Sequence, residues 1–223
     1  MKAIILNLIA WSLLPIMDGL AKYLSTEIHF IQVVWARYFF MIIITLPLIY
    51  FFFKEHLKWP KNIYLQLTRS IFFFLSTILF FYAISVISLA KSLALAFISP
   101  IIVTLLSPLL LKEKVGIHRW FAVVIGFVGA IIIIQPGFLK INFATLAGLG
   151  TGIAYAFYII STRKLSFVDS PLLTLIFTGS IGAIIITIIV PWFWVFKELI
   201  NNFCHAISNI QFFCVYNRAK RCL

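Results

Sequence analysis

Long apolar runs, each about one membrane thickness, alternate along this chain with short polar connections. A helix needs about 20 mostly apolar residues to cross about 30 Å of hydrocarbon. Runs of that kind fall at 3–24, 30–53, 70–88, 92–111, 119–136, 143–161 and 172–195. They are apolar around the whole circumference rather than along one stripe, unlike the helices of a soluble domain. They lack the period-two alternation of barrel strands. Short connections make neighbouring helices antiparallel. The expected fold is all-α, a polytopic membrane helix bundle.

The pattern stops near residue 196. The segment 196–223 carries Asn201, Asn202, His205, Ser208, Asn209 and Gln211 within one helix length. So many polar groups would go unsatisfied in lipid. The reading is a polar, cysteine-containing tail that does not span, with an interfacial amphipathic helix as the alternative. Lys2, an apolar stretch and then GLA at 19–21 resemble a cleavable signal. Because six comparable segments follow, a first membrane helix is the better description.

Composition supports the membrane reading. Hydrophobic residues make up 63% of the chain and charged residues 11%, far from the balance of soluble domains. The net charge of +12 does not point to nucleic acid, because the basic residues sit between apolar blocks instead of forming an aromatic-interleaved patch. Lys2, Lys54, Lys58, Lys61, Arg69, Lys112, Lys114, Arg119, Arg163 and Lys164 fall on one side of the expected bundle. Lys22, Lys91, Lys140 and Lys197 fall on the other. By the positive-inside rule the N-terminus is cytoplasmic. Trp59, Trp120, Trp192 and Trp194 stand at segment ends as interfacial anchors. Cys204, Cys214 and Cys222 have neither metal-ligand spacing nor the even number of a disulfide framework. No metal site and no cofactor is expected.

Among the six acids, Asp18 alone lies deep inside an apolar run. A charge near mid-membrane costs about 2.5–3.5 kcal/mol on insertion scales and normally faces protein or water. Lys22 follows at i+4. At about 1.5 Å per residue, Asp18 lies about 9 Å below the outer end of the first helix, and Arg37 about 10 Å below that of the second. A hairpin therefore brings Asp18 and Arg37 to one level, where they are expected to share a polar network with Lys22. Trp11, Pro15, Asp18 and Lys22 form one helical stripe, and Thr151, Tyr155, Tyr158 and Thr162 repeat its spacing. Equal stripes five helices apart are what a duplicated unit around a shared cavity would leave. For Asp18 itself, a packing ion pair without a ligand is the alternative to a substrate or proton site.

In the fourth run, Ser92, Ala96 and Ser99 form a small-residue stripe that lets another helix approach. Pro100 removes a backbone donor in mid-span and is expected to kink that helix. Glu113, between Lys112 and Lys114, reads as a solvated interfacial charge. Gly126, Gly129, Gly148 and Gly152 read as packing positions.

These stretches together resemble the EamA family of the drug/metabolite transporter superfamily. The resemblance is carried by Arg37 in QVVWARYFF, by MDGLAKYLS, and by AIS, SLAKSLAL, SPI and LLSPLLLKEK between 83 and 114. It continues through WFAVVIGFVGAIIIIQPG at 120–137 and GLGTGIAYAFYIISTRKLS at 148–166. It implies a transporter of ten helices in two inverted five-helix repeats, with a central cavity and alternating access. Its members move amino acids, nucleotide-type metabolites such as S-adenosylmethionine, other small solutes or drugs. Residues 1–137 would then be the first repeat and 138–195 two helices of a second. Three further helices are missing from the pattern. The expectation is a truncated or frameshifted chain, the alternative a bundle completed by a second polypeptide or a second copy.

The reading for function is a membrane transporter of a small organic solute, whose partners are that solute and the lipid bilayer. Its candidate pathway residues are Asp18, Lys22, Trp35, Arg37, Tyr38, Tyr82, Ser99, Pro100 and Tyr155. Asp18 and Arg37 would bind or relay charge, and the aromatic side chains would form walls; interfacial anchoring for Trp35 and plain packing for the tyrosines are the alternatives. A non-transporting remnant or structural subunit is the second reading. An intramembrane enzyme is disfavoured, because the spans hold no HExxH, no GxSxG and no aspartate pair.

Overall fold

The computed structural model describes residues 2–52, 60–111, 115–134, 142–166, 168–169 and 171–193. The tail 196–223, Lys112 to Lys114, the QPG at 135–137, Trp59, Trp194 and the Trp11 side chain lie outside the described residues. The helices are α1 (Lys2–Glu27), α2 (Phe30–Phe52), α3 (Ile63–Val86), α4 (Leu89–Ala96), α5 (Ile98–Leu110), α6 (Ile117–Ile134), α7 (Phe143–Leu165) and α8 (Pro171–Ile189). A 3₁₀ turn, Val190–Trp192, closes the series. The described residues contain no strand. Six stretches among them are long and apolar enough to cross a bilayer: Phe30–Pro47, Ile63–Val86, Leu89–Leu110, Ile117–Ile134, Phe143–Leu165 and Leu173–Trp192. The chain is an all-α, multi-pass membrane protein.

Two elements differ from the apolar pattern, each for a local reason. α3 begins at Ile63, where the Asn62 side chain accepts a hydrogen bond from the Leu65 N–H at 3.2 Å. An N-cap of this kind starts a helix regardless of the polarity that follows. Arg69 is therefore a buried residue of α3, not one of the charges between helices. The fourth apolar run is likewise two helices. Had it been continuous, the Pro100 ring would meet the Ala96 carbonyl one turn earlier. α4 instead stops at Ala96, and the Phe97 N–H turns back to the carbonyls of Leu93 and Leu95. Pro100 then sits in the first turn of α5, a position that needs no amide donor.

The elements pack around α3, which contacts α7, α8, α2, α1 and α4. Partners on α3 and α7 run in opposite order along the two helices: Arg69 with Thr162, Phe73 with Tyr158, Ser76 with Thr151. The pair is therefore antiparallel, and the Thr151–Tyr155–Tyr158–Thr162 stripe lies along the α3 side of α7. α7 also packs on α4 and α5, where Gly148 and Gly152 permit close approach. A Cβ on Gly152 would lie 2.3 Å from Ile98 Cγ2 and 3.0 Å from the Ala96 carbonyl oxygen. The backbone freed by the α4–α5 break is thus covered by the bare face of α7. Gly126 and Gly129 of α6 face open space instead. The apolar core runs through Val34, Tyr38, Phe74, Phe81, Ile84 and Ile186.

Candidate functional site

Asp18 on α1 and Arg37 on α2 are both half-buried, and Arg37 is the charge that acts on Asp18. The guanidinium carbon of Arg37 stands 5.4 Å from the centre of the Phe81 ring, a cation–π contact with α3. Its electrostatic effect extends to Tyr155 on α7. Tyr155 stacks on Tyr158 at 5.4 Å, and Tyr158 meets Phe73 at 4.8 Å. An aromatic ladder therefore leads from Arg37 along α7.

At the foot of that ladder lies a second guanidinium, which the sequence did not nominate. Arg69 Nε donates to Thr162 Oγ1 at 2.7 Å. Nη1 donates to Thr178 Oγ1 at 2.5 Å and to the Thr174 carbonyl at 3.2 Å, and Nη2 to the Tyr158 hydroxyl at 3.1 Å. The Tyr158 ring lies 4.7 Å from the guanidinium carbon. Beside it, Gln66 Nε2 donates to Asp169 Oδ2 at 2.9 Å, while Asp169 Oδ1 accepts from the Lys61 N–H at 3.1 Å. The cluster ties α3 to α7, α8 and the connection between them. An arginine beside apolar residues reads as a span boundary, which hid it. The available signal was the polar spacing Gln66–Arg69 on one helix face, matched by Thr174–Thr178 at i, i+4 in α8.

The other nominated residues divide. Lys22 does not join Asp18 and Arg37 in one hydrogen-bonded network. Its ammonium donates to the carbonyls of Ile84 and, at 3.1 Å, Ile87, capping the end of α3. Trp35 Nε1 donates to Thr187 Oγ1 at 3.2 Å, and the indole stacks on Phe39. Tyr38 is 1% exposed, with its hydroxyl 3.3 Å from Thr77 Oγ1 and its ring seated against Gly182 of α8. Tyr82 meets Phe30 at 5.5 Å. Ser99 is buried with Ser92 on the small-residue face, whereas the Pro100 ring is turned outward. Among the described residues no hydrogen bond or ion pair joins Asp18, Arg37 and Tyr155, which are related by long-range electrostatics alone. Lys22, Trp35 and Tyr38 hold helix to helix.

The EamA-like transporter family model matches residues 1–135, more than half the chain. The chain belongs to the EamA-like transporter family. An S-adenosylmethionine uptake transporter of Rickettsia prowazekii is 25% identical over 195 residues, covering 85% of this chain and 66% of that protein. The corresponding transporter of Rickettsia felis is 23% identical over 191 residues, covering 83% and 65%. A riboflavin transporter of Vibrio cholerae is 42% identical over 81 residues, covering 36% of this chain and 27% of its own. The chain spans about two thirds of the length of the S-adenosylmethionine transporters it matches. No solved structure matches it.

Proposed function

We propose that this chain carries a small organic solute across a bacterial inner membrane, by alternating access around a pathway that Asp18, Arg37 and Tyr155 line. The observation that supports the reading is a pair of opposite charges on two adjacent membrane helices, within electrostatic range of each other and of a stacked tyrosine pair. Ionisable groups held at this depth mark a solute or proton path more often than packing. Asp18 suits a cationic centre and the Tyr155–Tyr158 pair a flat ring. S-adenosylmethionine presents both features, and transporters of that metabolite are among the relatives.

In this reading α1–α6 form the first repeat, and α7 with α8 begin an inverted second one. Lys61, Arg119, Arg163 and Lys164 gather where the α2–α3, α5–α6 and α7–α8 connections lie, while Lys22 and Lys91 mark the opposite end. That supports a cytoplasmic N-terminus. No enzymatic step is assigned.

Membrane vesicles holding the chain should take up radiolabelled S-adenosylmethionine, and Asp18→Asn should lower uptake at least about tenfold, the effect of removing one charge partner. Equal uptake by both would remove Asp18 from the pathway. Absence of uptake by the wild type would favour a structural subunit.

A further inference from the structure

The Arg69 cluster shares Tyr158 with the pathway just assigned, and it carries two unmet demands. The guanidinium is buried, yet among the described residues its acceptors, Thr162 Oγ1, Thr174 O, Thr178 Oγ1 and Tyr158 OH, are all neutral. Such acceptors satisfy hydrogen bonds without cancelling a charge, and a buried charge is costly until an opposite one joins it. One turn earlier, Gln66 is fully buried. Its Nε2 must point to the Asp169 carboxylate, which only accepts, so the orientation of the amide is fixed. The amide oxygen Oε1 is then left without a partner among the described residues. Among the described residues, one side chain thus lacks a bonded anion and the other a donor.

The two demands belong to one location. Gln66 and Arg69 are i, i+3 on α3, where Cβ atoms stand about 5–6 Å apart. Both reach the same residue of α8, with Gln66 Nε2 3.4 Å from Thr174 Oγ1 and Arg69 Nη1 3.2 Å from the Thr174 carbonyl. A molecule bearing a carboxylate and an ammonium on adjacent atoms would meet both at once.

We propose that Gln66 and Arg69 form a subsite for an α-amino-carboxylate head group, with the carboxylate on the guanidinium and the ammonium on the Gln66 amide oxygen. The proposal rests on the transport reading for how the head group arrives, and it narrows the solute to one bearing an amino-acid end. A carboxylate adds charge–charge attraction and a bidentate fit that neutral oxygens lack, so it displaces Thr178 Oγ1 and the Thr174 carbonyl from Nη1. Those two acceptors belong to α8, so entry of the head group exchanges an α3–α8 contact for a contact with the solute. The Asp169 carboxylate, bonded to the same amide, adds negative potential on the ammonium side. Tyr158 covers the guanidinium and stacks on Tyr155, which connects this subsite to Arg37 by an aromatic surface.

The test is equilibrium binding to the full chain in lipid nanodiscs. Radiolabelled S-adenosylmethionine is displaced by its unlabelled form, by decarboxylated S-adenosylmethionine and by methionine. The wild type should prefer the carboxylate form over the decarboxylated one by at least about tenfold. Arg69→Gln should abolish that ratio, and Gln66→Met, which keeps the volume and loses the acceptor, should weaken methionine. Thr178→Val, removing an acceptor that the solute replaces, should preserve the ratio; should Arg69→Gln not fold, Arg69→Lys is read for a reduced ratio in its place. Equal affinities in the wild type, a ratio surviving both Arg69 variants, or no binding of any probe overturns the subsite. Carboxylate-selective binding without uptake would overturn the transport reading alone, and uptake without selectivity would overturn the subsite alone.

Discussion

Tyr38 shows how much a side chain's role depends on what stands opposite it. Type and depth nominated it as a pathway wall. In the bundle its ring occupies the notch that Gly182 leaves in α8, where an added Cβ would lie 2.2 Å from Cε1. Gly182→Ala should therefore destabilise the fold by about 1–3 kcal/mol through overpacking. Tyr38→Phe, losing one 3.3 Å hydrogen bond, should cost only about 0.5–1.5 kcal/mol. Chemical denaturation of the purified chain in detergent reads both. Lys22 makes the same point with a charge. Its ammonium meets the last carbonyls of α3, the negative end of that helix. Lys22→Met should cost about 1.5–3 kcal/mol, the range for hydrogen bonds to a charged group, in the same denaturation assay. Sequence reasoning set Asp18 and Arg37 at one depth from helical rise alone. It missed the partner of Lys22, because i+4 proximity says nothing about carbonyls that another helix presents.

Helices were legible where apolar length decides them and obscure where a cap or a proline does. The spans seen in α2, α6, α7 and α8 begin within about two residues of the apolar runs. α3 began earlier because Asn62 caps it, which is why Arg69 was misplaced between helices. Pro100 was rightly expected to disturb its helix. The position of the break followed from the proline's steric reach back to Ala96, not from the proline itself. Glycines are the sharpest case, because composition cannot tell a packed one from an open one. Gly152→Ala forces Cβ against Ile98 and the Ala96 carbonyl and should lower the thermal midpoint of unfolding, at a cost of about 1–3 kcal/mol. Gly126→Ala meets open space and should be neutral or stabilising by up to about 1 kcal/mol, from helix propensity. Equal shifts for the two would contradict the α4–α7 contact.

At the scale of the molecule, fold class and family were both readable from sequence, since membrane length and the assembled motifs are properties of the linear pattern. The Arg69 cluster was not. It exists because α3, α7 and α8 converge, and no single run contains it. The orientation reading makes a molecular-scale prediction. With Cys204, Cys214 and Cys222 replaced by serine, Ser166→Cys should react with an impermeant maleimide from the cytoplasmic side and Ser88→Cys from the other. Reaction of both from one side would contradict the antiparallel path between them.

The joint between α4 and α5 has a mechanical meaning. A rod bends first where a rung of its ladder is missing, and here Pro100 has no N–H to donate to the Ala96 carbonyl one turn earlier. Because α7 and α6 each pack on both halves, tilt of one half against the other concentrates at this joint.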